Sequence, residues 1–371
     1  DIYTESELSE FEKSIMETGN EVELVARKLF PGGILIERRD EEGQKITRDY
    51  IAKNQEILFQ PIFVKDNFLA AIDILKFNPA TESYSIYEVK STSDVDDKTH
   101  YHDLAFQKNL LQKCDLKIGN AYIIHLNSDY VRSGDIDIAQ LFKIVDVSSE
   151  VESIAESVAI ESVEAIKYLS QTTEPSGYCY CIYKGRSRHC STFQHANPEV
   201  PDYSVHDIAR IGNSKAKLKE LIDSNIFHLD KIPAHIKLTD IQQSQVDTYN
   251  LNKVLVNKEK IVEEFRTLTF PLYFLDYETF PAAIPRFDGF SPYNQIPFQY
   301  SVDVLKSAED KPEHYEFLHI GSDDPSMAFA ESLQKHLGTS GSIVVWHKGF
   351  ECGKNDAIAN RIPVLNPFLD A

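Results

Sequence analysis

Apolar residues recur along the chain in two rhythms, helical and alternating, and the switches between them mark out elements. Helical spacing over residues 5–30 predicts two helices broken near Gly19, the second carrying GNEVELVARKLFPGG. GILIER and the run from Ile57 to Val64 look like strands. FLAAIDILKF and SYSIYEVKS predict an antiparallel pair. THYHDLAFQKNLLQKC returns to helical spacing and puts Leu104, Gln107, Leu110 and Leu111 near one stripe. NAYIIHLN and AQLFKIVDV read as further strands, and residues 148–170 as a long helix that leaves this core.

A cysteine-bearing loop spans 175–195, and short helices follow from Ser204 to Glu264: SVHDIARIG, SKAKLKELIDSNI and LTDIQQSQVDTYN. Near Phe270 a second sheet-based region begins, with strands LYFLDYETF, FQYSVDVL, HYEFLHI and SIVVWHKGF and the amphipathic helix PSMAFAESLQKHLG. No internal repeat or low-complexity tract interrupts the pattern. Strands and helices around central sheets predict an α/β (α+β) chain. The expected domains are 1–147, a connector over 148–265, and 266–371.

Composition narrows the function. With 371 residues, 42% apolar and 11% aromatic, the chain can build sizeable cores. No apolar run approaches the ~20 residues of a membrane span, and no secretory signal pattern opens the chain, so a cytoplasmic protein without a membrane partner is expected. A formal net charge of −20 argues against uniform phosphate binding, so any nucleic-acid contact must use a local basic patch. Five cysteines are too few for a disulfide framework. Three of them, between positions 179 and 190, point to metal in a reducing compartment. The chain starts at Asp1 rather than Met and ends in NPFLDA with no closing element, so a fragment open at both ends is expected.

The densest chemistry lies between Ala71 and Gln107. A period of two puts Glu88 and Lys90 on one face of a strand and Val89 on the other. A carboxylate beside an ammonium is costly to bury unless the two share a task, such as holding Mg²⁺ and a water next to a phosphate. Asp73, Glu88-x-Lys90 and Gln107, in that order, outline a metal-dependent phosphodiesterase site. The bland alternative is solvated strand ends and surface ion pairs. These residues resemble the PD-(D/E)xK superfamily, in particular RecB-like nucleases. The resemblance implies a restriction-endonuclease-like core in which Asp73 and Glu88 bind Mg²⁺ or Mn²⁺. Lys90 would orient the attacking water and stabilise charge on the phosphate. Gln107, with Tyr101 nearby, matches the helix motif that follows the lysine. Glu21 is the best match for the upstream acid. Its rival Glu23 lies about 200° around the helix, so only one can face the site.

Cys179, Cys181 and Cys190 supply three of the four ligands that a structural Zn²⁺ or a [4Fe–4S] cluster needs. Cys114 is a candidate fourth, His189 and His195 suit Zn²⁺, and Cys352 sits in the last domain. RecB-like nucleases of the iron–sulfur type carry one cysteine ahead of the nuclease core and three after it. The resemblance therefore implies [4Fe–4S], with Zn²⁺ as the alternative, although no cysteine precedes Cys114 here. Lys184, Arg186 and Arg188, with His189, form a basic knot that would either contact phosphate or neutralise acidic neighbours and thiolates. IGNSKAKLKELID resembles helix-hairpin-helix connectors that touch a nucleic-acid backbone; a packed helical linker is the alternative.

Asp276 and Glu278 share one face of LYFLDYETF, with Tyr277 opposite. The strand resembles the first motif of DEDD-type 3′→5′ exonucleases, whose fold is ribonuclease H-like. Two such carboxylates can hold two Mg²⁺ ions. For the second motif, VVWHKGFE offers His347, Phe350 and Glu351, with His for Asn and Glu for Asp. The third motif would fall beyond Ala371. TFPAAIPRFDGFSPYNQIPFQYSVDVL resembles a domain of unknown function found behind RecB-like modules in bacterial proteins.

The expected function is metal-dependent hydrolysis of phosphodiesters in nucleic acid, DNA ahead of RNA, in repair, recombination or defence. The rivals are a non-catalytic nucleic-acid or partner-binding scaffold with a structural metal, and a hydrolase of small phosphate esters.

Overall fold

Ser9 opens the first helix, α1 (Glu10–Ala26). Its hydroxyl accepts from the Glu12 N–H at 3.2 Å, while the Glu12 carboxylate accepts from the Ser9 N–H at 2.8 Å. The helix runs through Gly19, where a break was expected. One glycine costs a helix only about 1 kcal/mol, and burial of Val22 and Ala26 offsets it. This computed structural model describes residues 9–173 and 179–365. Residues 5–8 of the predicted first helix, 175–178 of the cysteine loop and NPFLDA at 366–371 lie outside them. The described residues form a mixed α/β structure with three sheets and eleven helices.

The chain divides into two compact units, one made of Asp1–Ser170 with Leu268–Ala371, the other of Gln171–Thr267. In the first, β1 (Ile34–Leu35), α2 (Glu41–Ala52) and β2 (Ile57–Phe59) lead to β3 (Ile62–Lys65) and β4 (Phe68–Ala71), which pair as a separate hairpin. Next come β5 (Ile74–Asn78), β6 (Ser83–Lys90), α3 (His100–Lys113) and β7 (Ile118–Leu126). Then α4 (Ile138–Leu141), β8 (Phe142–Asp146) and α5 (Ser148–Leu169) complete the run. The six-stranded sheet has the order β1-β2-β5-β6-β7-β8. β5 and β6 are antiparallel, while β6 and β7 run parallel, joined through α3.

Two expected single strands are each broken in two. The run from Ile57 is interrupted at Gln60, a non-glycine residue at φ +53°, followed by Pro61. FLAAIDILKF is interrupted at Ile72–Asp73. There the chain leaves the large sheet, makes the β3–β4 hairpin and returns. The exit and the return are tied together by Gln60 N–H to Asp73 C=O at 3.2 Å and Ile72 N–H to Pro61 C=O at 3.1 Å. AQLFKIVDV is likewise half helix, because Asp137 caps the short α4.

Each face of the sheet has its own core. Tyr84, Ile86, Leu104 and Leu111 pack on one side, with Val151 and Val158 of α5 among them. The long helix therefore stays on this core, held also by Asn109 Nδ2 donating to the Ala155 carbonyl at 2.8 Å. Val22, Ala26, Phe59, Ile74 and Ile124 pack on the other side.

The same unit contains β9 (Leu272–Pro281), β10 (Gln295–Leu305), β11 (Glu313–Leu318) and β12 (Ser342–Val344), in the order β11-β10-β9-β12. β9 to β11 are antiparallel neighbours; β12 runs parallel to β9. The helix here called α10 (Ser326–His336) and the last helix, α11 (Lys348–Arg361), flank β12 in the chain. SIVVWHKGF is thus strand only at its start, because the His347 ring caps α11 by accepting from the Phe350 N–H at 3.0 Å. The β9–β10 connection is anchored on the first core. Ala283 and Ile284 bury among Val22 and Ile124, and Arg132 Nη1 donates to the carbonyls of Pro285 at 3.0 Å and Arg286 at 2.6 Å.

The second unit is helical: α6 (Phe193–Ala196), α7 (Lys215–Asp223), α8 (Asp240–Leu251) and α9 (Lys258–Phe265). Its core gathers Ile182, Phe193, Val205, Leu218 and Leu221. No helix among the described residues is long and apolar enough to cross a membrane.

Candidate functional site

Asp73 stands where the chain re-enters the sheet, just ahead of β5. Its Oδ2 accepts from the Val89 N–H at 2.8 Å and its Oδ1 from Gln60 Nε2 at 2.9 Å. The same Gln60 nitrogen donates to Glu23 Oε1 at 2.6 Å, and Arg39 Nη2 donates to Gln60 Oε1 at 3.2 Å. Gln60 is buried in the left-handed backbone region, an arrangement that costs energy and persists only when its surroundings fix it. Desolvation pushes the Asp73 pKa well above the usual carboxylate range, and the charges of Glu88 and then Glu23 push it further.

Glu88 and Lys90 extend from the β6 face that carries Tyr84 and Ile86. Glu88 Oε2 accepts from Gln107 Nε2 of α3 at 2.7 Å, and Glu88 Oε1 lies 2.9 Å from Lys90 Nζ. Lys90 Nζ also reaches Asp103 Oδ2 at 2.6 Å, one turn before Gln107 on α3. Burial works against the lysine's charge, yet Glu88 and Asp103 together raise its pKa above the ordinary value. His100 opens α3 with its Nδ1 accepting from the Asp96 N–H at 3.0 Å. Desolvation, then the nearby Lys90 charge, lowers its pKa.

The structure thus brings Asp73, Glu88, Lys90 and Gln107 into one constellation. Of the two candidate acids on α1 it places Glu23, and not Glu21, beside Asp73. Glu21 points around the helix to Arg286, in a two-pronged ion pair at 2.7 and 2.9 Å. Glu23 instead shares Gln60 with Asp73 and pairs with Arg27 at 2.6 Å. Gln60, Asp103 and His100 were not anticipated. Asp103 carries a readable signal, since it precedes Gln107 by four on a helix and so lies on its face. Gln60 carries none, because its place depends on the hairpin detour. Tyr101 packs against the core behind the site.

The second carboxylate pair is arranged differently. Tyr273, Leu275 and Tyr277 bury on the face of β9 that packs with Phe329 and Leu333 of α10. Asp276 and Glu278 occupy the opposite, exposed face. Glu351, expected as a third ligand, is buried near Tyr277, and its charge helps burial raise that phenol's pKa. It therefore lies toward the face of β9 that Asp276 and Glu278 avoid. Among the described residues its Oε2 finds no hydrogen-bond partner.

In the second unit the Sγ atoms of Cys179, Cys181 and Cys190 lie within 4.8 Å of one another. Among the described residues no other cysteine, histidine or carboxylate completes this group. The fully buried Asn197 donates its Nδ2 to Cys179 Sγ at 3.4 Å, and Thr192 Oγ1 lies 3.2 Å from Cys190 Sγ, a contact that lowers the Cys190 pKa. Three soft thiols held this way can take a thiophilic metal. Cys114, a candidate fourth ligand from sequence, ends α3 against the core of the six-stranded sheet, near Lys65 and Asp66. Cys352 is exposed in α11. His189 stacks on Phe193 at 3.5 Å and its Nε2 meets the Lys184 carbonyl at 2.9 Å; His195 sits in α6.

Arg186 does not reach outward as a phosphate contact would. It grips Asp207 at 2.8 and 2.9 Å and the Asp202 carbonyl at 2.5 Å, so its charge is spent within the fold. Lys184 and Arg188 are exposed.

Residues 273–371, from β9 onward, match the model of a family described as a domain of unknown function, DUF2779. No curated protein and no solved structure matches the chain.

Proposed function

We propose that this chain is a metal-dependent nuclease whose working centre is Asp73, Glu88 and Lys90, supported by Gln107 and Glu23. The observation that carries the reading is the crowding of Asp73 by two further carboxylates where water is scarce, which drives its pKa up. Carboxylates so placed repel each other unless a divalent cation joins them, and oxygen-only donors suit Mg²⁺ or Mn²⁺. When bound, such an ion would polarise a phosphate oxygen and acidify a water. The chain's own part is then positioning. Gln60 fixes Asp73 and Glu23, Gln107 fixes Glu88, and Lys90 stays protonated at neutral pH. A permanently charged Lys90 serves to stabilise charge on the phosphate rather than to take a proton.

The second sheet supports a ribonuclease H-like module. It has three antiparallel strands, a helix, and then a strand returning parallel to the first. The cysteine trio supports an iron–sulfur cluster, or Zn²⁺, with one ligand supplied from elsewhere. Iron and sulfide content against zinc content decides between them.

Cleavage of end-labelled single- and double-stranded DNA and RNA in Mn²⁺ tests the main reading. Lys90→Ala is expected to lower the rate by roughly a hundredfold or more while oligonucleotide binding persists. Equal rates for wild type and variant would return the chain to the scaffold reading. Turnover of a small ester with no gain from longer oligonucleotides would favour a small-ester hydrolase.

A further inference from the structure

Among the described residues of this acidic chain, the helical unit carries a basic recess. A cleft of about 1020 Å³ is formed where the cysteine loop meets the turns leading into α7. The two backbones approach closely because Gly185 and Gly212 face each other; a Cβ on Gly212 would lie 3.2 Å from the Gly185 nitrogen. Besides Arg186, which is paired with Asp207, five cations line the cleft: Lys184, Arg188, Arg210, Lys215 and Lys219. Among the described residues only Lys219 of these five has a carboxylate partner, Asp223. The one acid in the lining, Asp207, is neutralised by Arg186. Tyr180 stands at the rim with 79% of its surface exposed.

We infer that this cleft binds single-stranded nucleic acid, with its cations along the phosphates and Tyr180 as a stacking surface for a base. Four cations without a carboxylate partner among the described residues, gathered in a chain of net charge −20, make a local positive field that attracts a polyanion. An exposed aromatic ring beside them suits an unstacked base, which a duplex does not offer. Arg186, a candidate contact from sequence, also lines the cleft, but its charge is paired with Asp207. The inference stands apart from catalysis.

The test is fluorescence anisotropy of labelled oligo(dT) and oligo(U) on the full chain, with Asp73→Asn and Asp276→Asn present so that cleavage plays no part. Arg210→Glu with Lys215→Glu is expected to weaken binding at least tenfold. It should also reduce the slope of log affinity on log salt by about 1.4, at roughly 0.7 for each phosphate no longer neutralised. Tyr180→Ala is expected to weaken binding about tenfold and leave that slope unchanged. Lysine acylation of the protein without cleft substitutions should show Lys184, Lys215 and Lys219 protected by bound oligonucleotide, which guards against misfolded variants. Unchanged affinity in the cleft variants, or unprotected lysines under saturating oligonucleotide, overturns the site. Tighter binding of a blunt duplex than of either single strand overturns the single-strand assignment. The comparison of dT with U separates DNA from RNA.

Discussion

Two strands in this molecule carry carboxylates on one face, and they come to different ends. Around Asp73 and Glu88, the left-handed Gln60, Gln107 of α3, the Val89 N–H and Lys90 supply a partner to each carboxylate oxygen. Asp276 and Glu278 sit on an open face of β9, and the acid expected to join them is buried toward the other side. Period-two spacing of a carboxylate on a strand therefore specifies only a face. What turns a face into a site is a ring of neighbours that hold the side chains before any ligand arrives.

The sharpest way to break this comparison is to remove one acid from each group. Asp73→Ala is expected to lower metal-dependent cleavage by roughly a thousandfold, and Asp276→Ala by no more than a few-fold, in the present chain. The reverse ranking in a cleavage assay would make the open strand the working one.

Next in size is the contest on α1. Glu23→Gln keeps the shape but removes the charge beside Asp73, and roughly a tenfold to hundredfold loss of activity is expected. Glu21→Gln breaks an exposed ion pair with Arg286 and should leave activity within about twofold, since such pairs contribute about 0–1 kcal/mol. Equal effects would show that α1 supplies no acid to the site.

The smallest effect is a pH dependence. The folded chain without metal holds a proton on Asp73 more tightly than the unfolded chain does. Its stability therefore falls as pH rises from the usual carboxylate range through the raised pKa. Mn²⁺ stands in for that proton, so the rise in melting temperature on adding Mn²⁺ should grow with pH across this window. Asp73→Asn should abolish the growth. A Mn²⁺ shift independent of pH would mean that the ion binds elsewhere.

Much of this site could be read from the chain. Period-two spacing placed Glu88 and Lys90 together, and helical spacing turned Gln107 inward. Glu21 and Glu23 could not be separated, because both orientations satisfy α1 and only the docking of Arg286 and Gln60 decides. Gln60 was invisible, since its role follows from a hairpin that interrupts two strands whose apolar runs continue across the breaks. Glu351 misled for a related reason: the expected motif assumes a side chain directed to one face, and the turn that His347 caps sends it to the other. The cysteine trio was legible from spacing alone.

The β9–β10 connection carries a last consequence. The family match begins at residue 273, yet the connection inside it is half of a joint. Its other half is Glu21, Arg132 and the Ser91 carbonyl, which takes the Tyr293 hydroxyl one residue after Lys90. A sequence boundary is therefore not a dissection boundary here. Residues 273–371 expressed alone would present Ala283 and Ile284 to water and leave Arg286 and Tyr293 without these partners. A host that borrowed this module would need to bring a matching socket, and in this chain the socket adjoins the first carboxylate site.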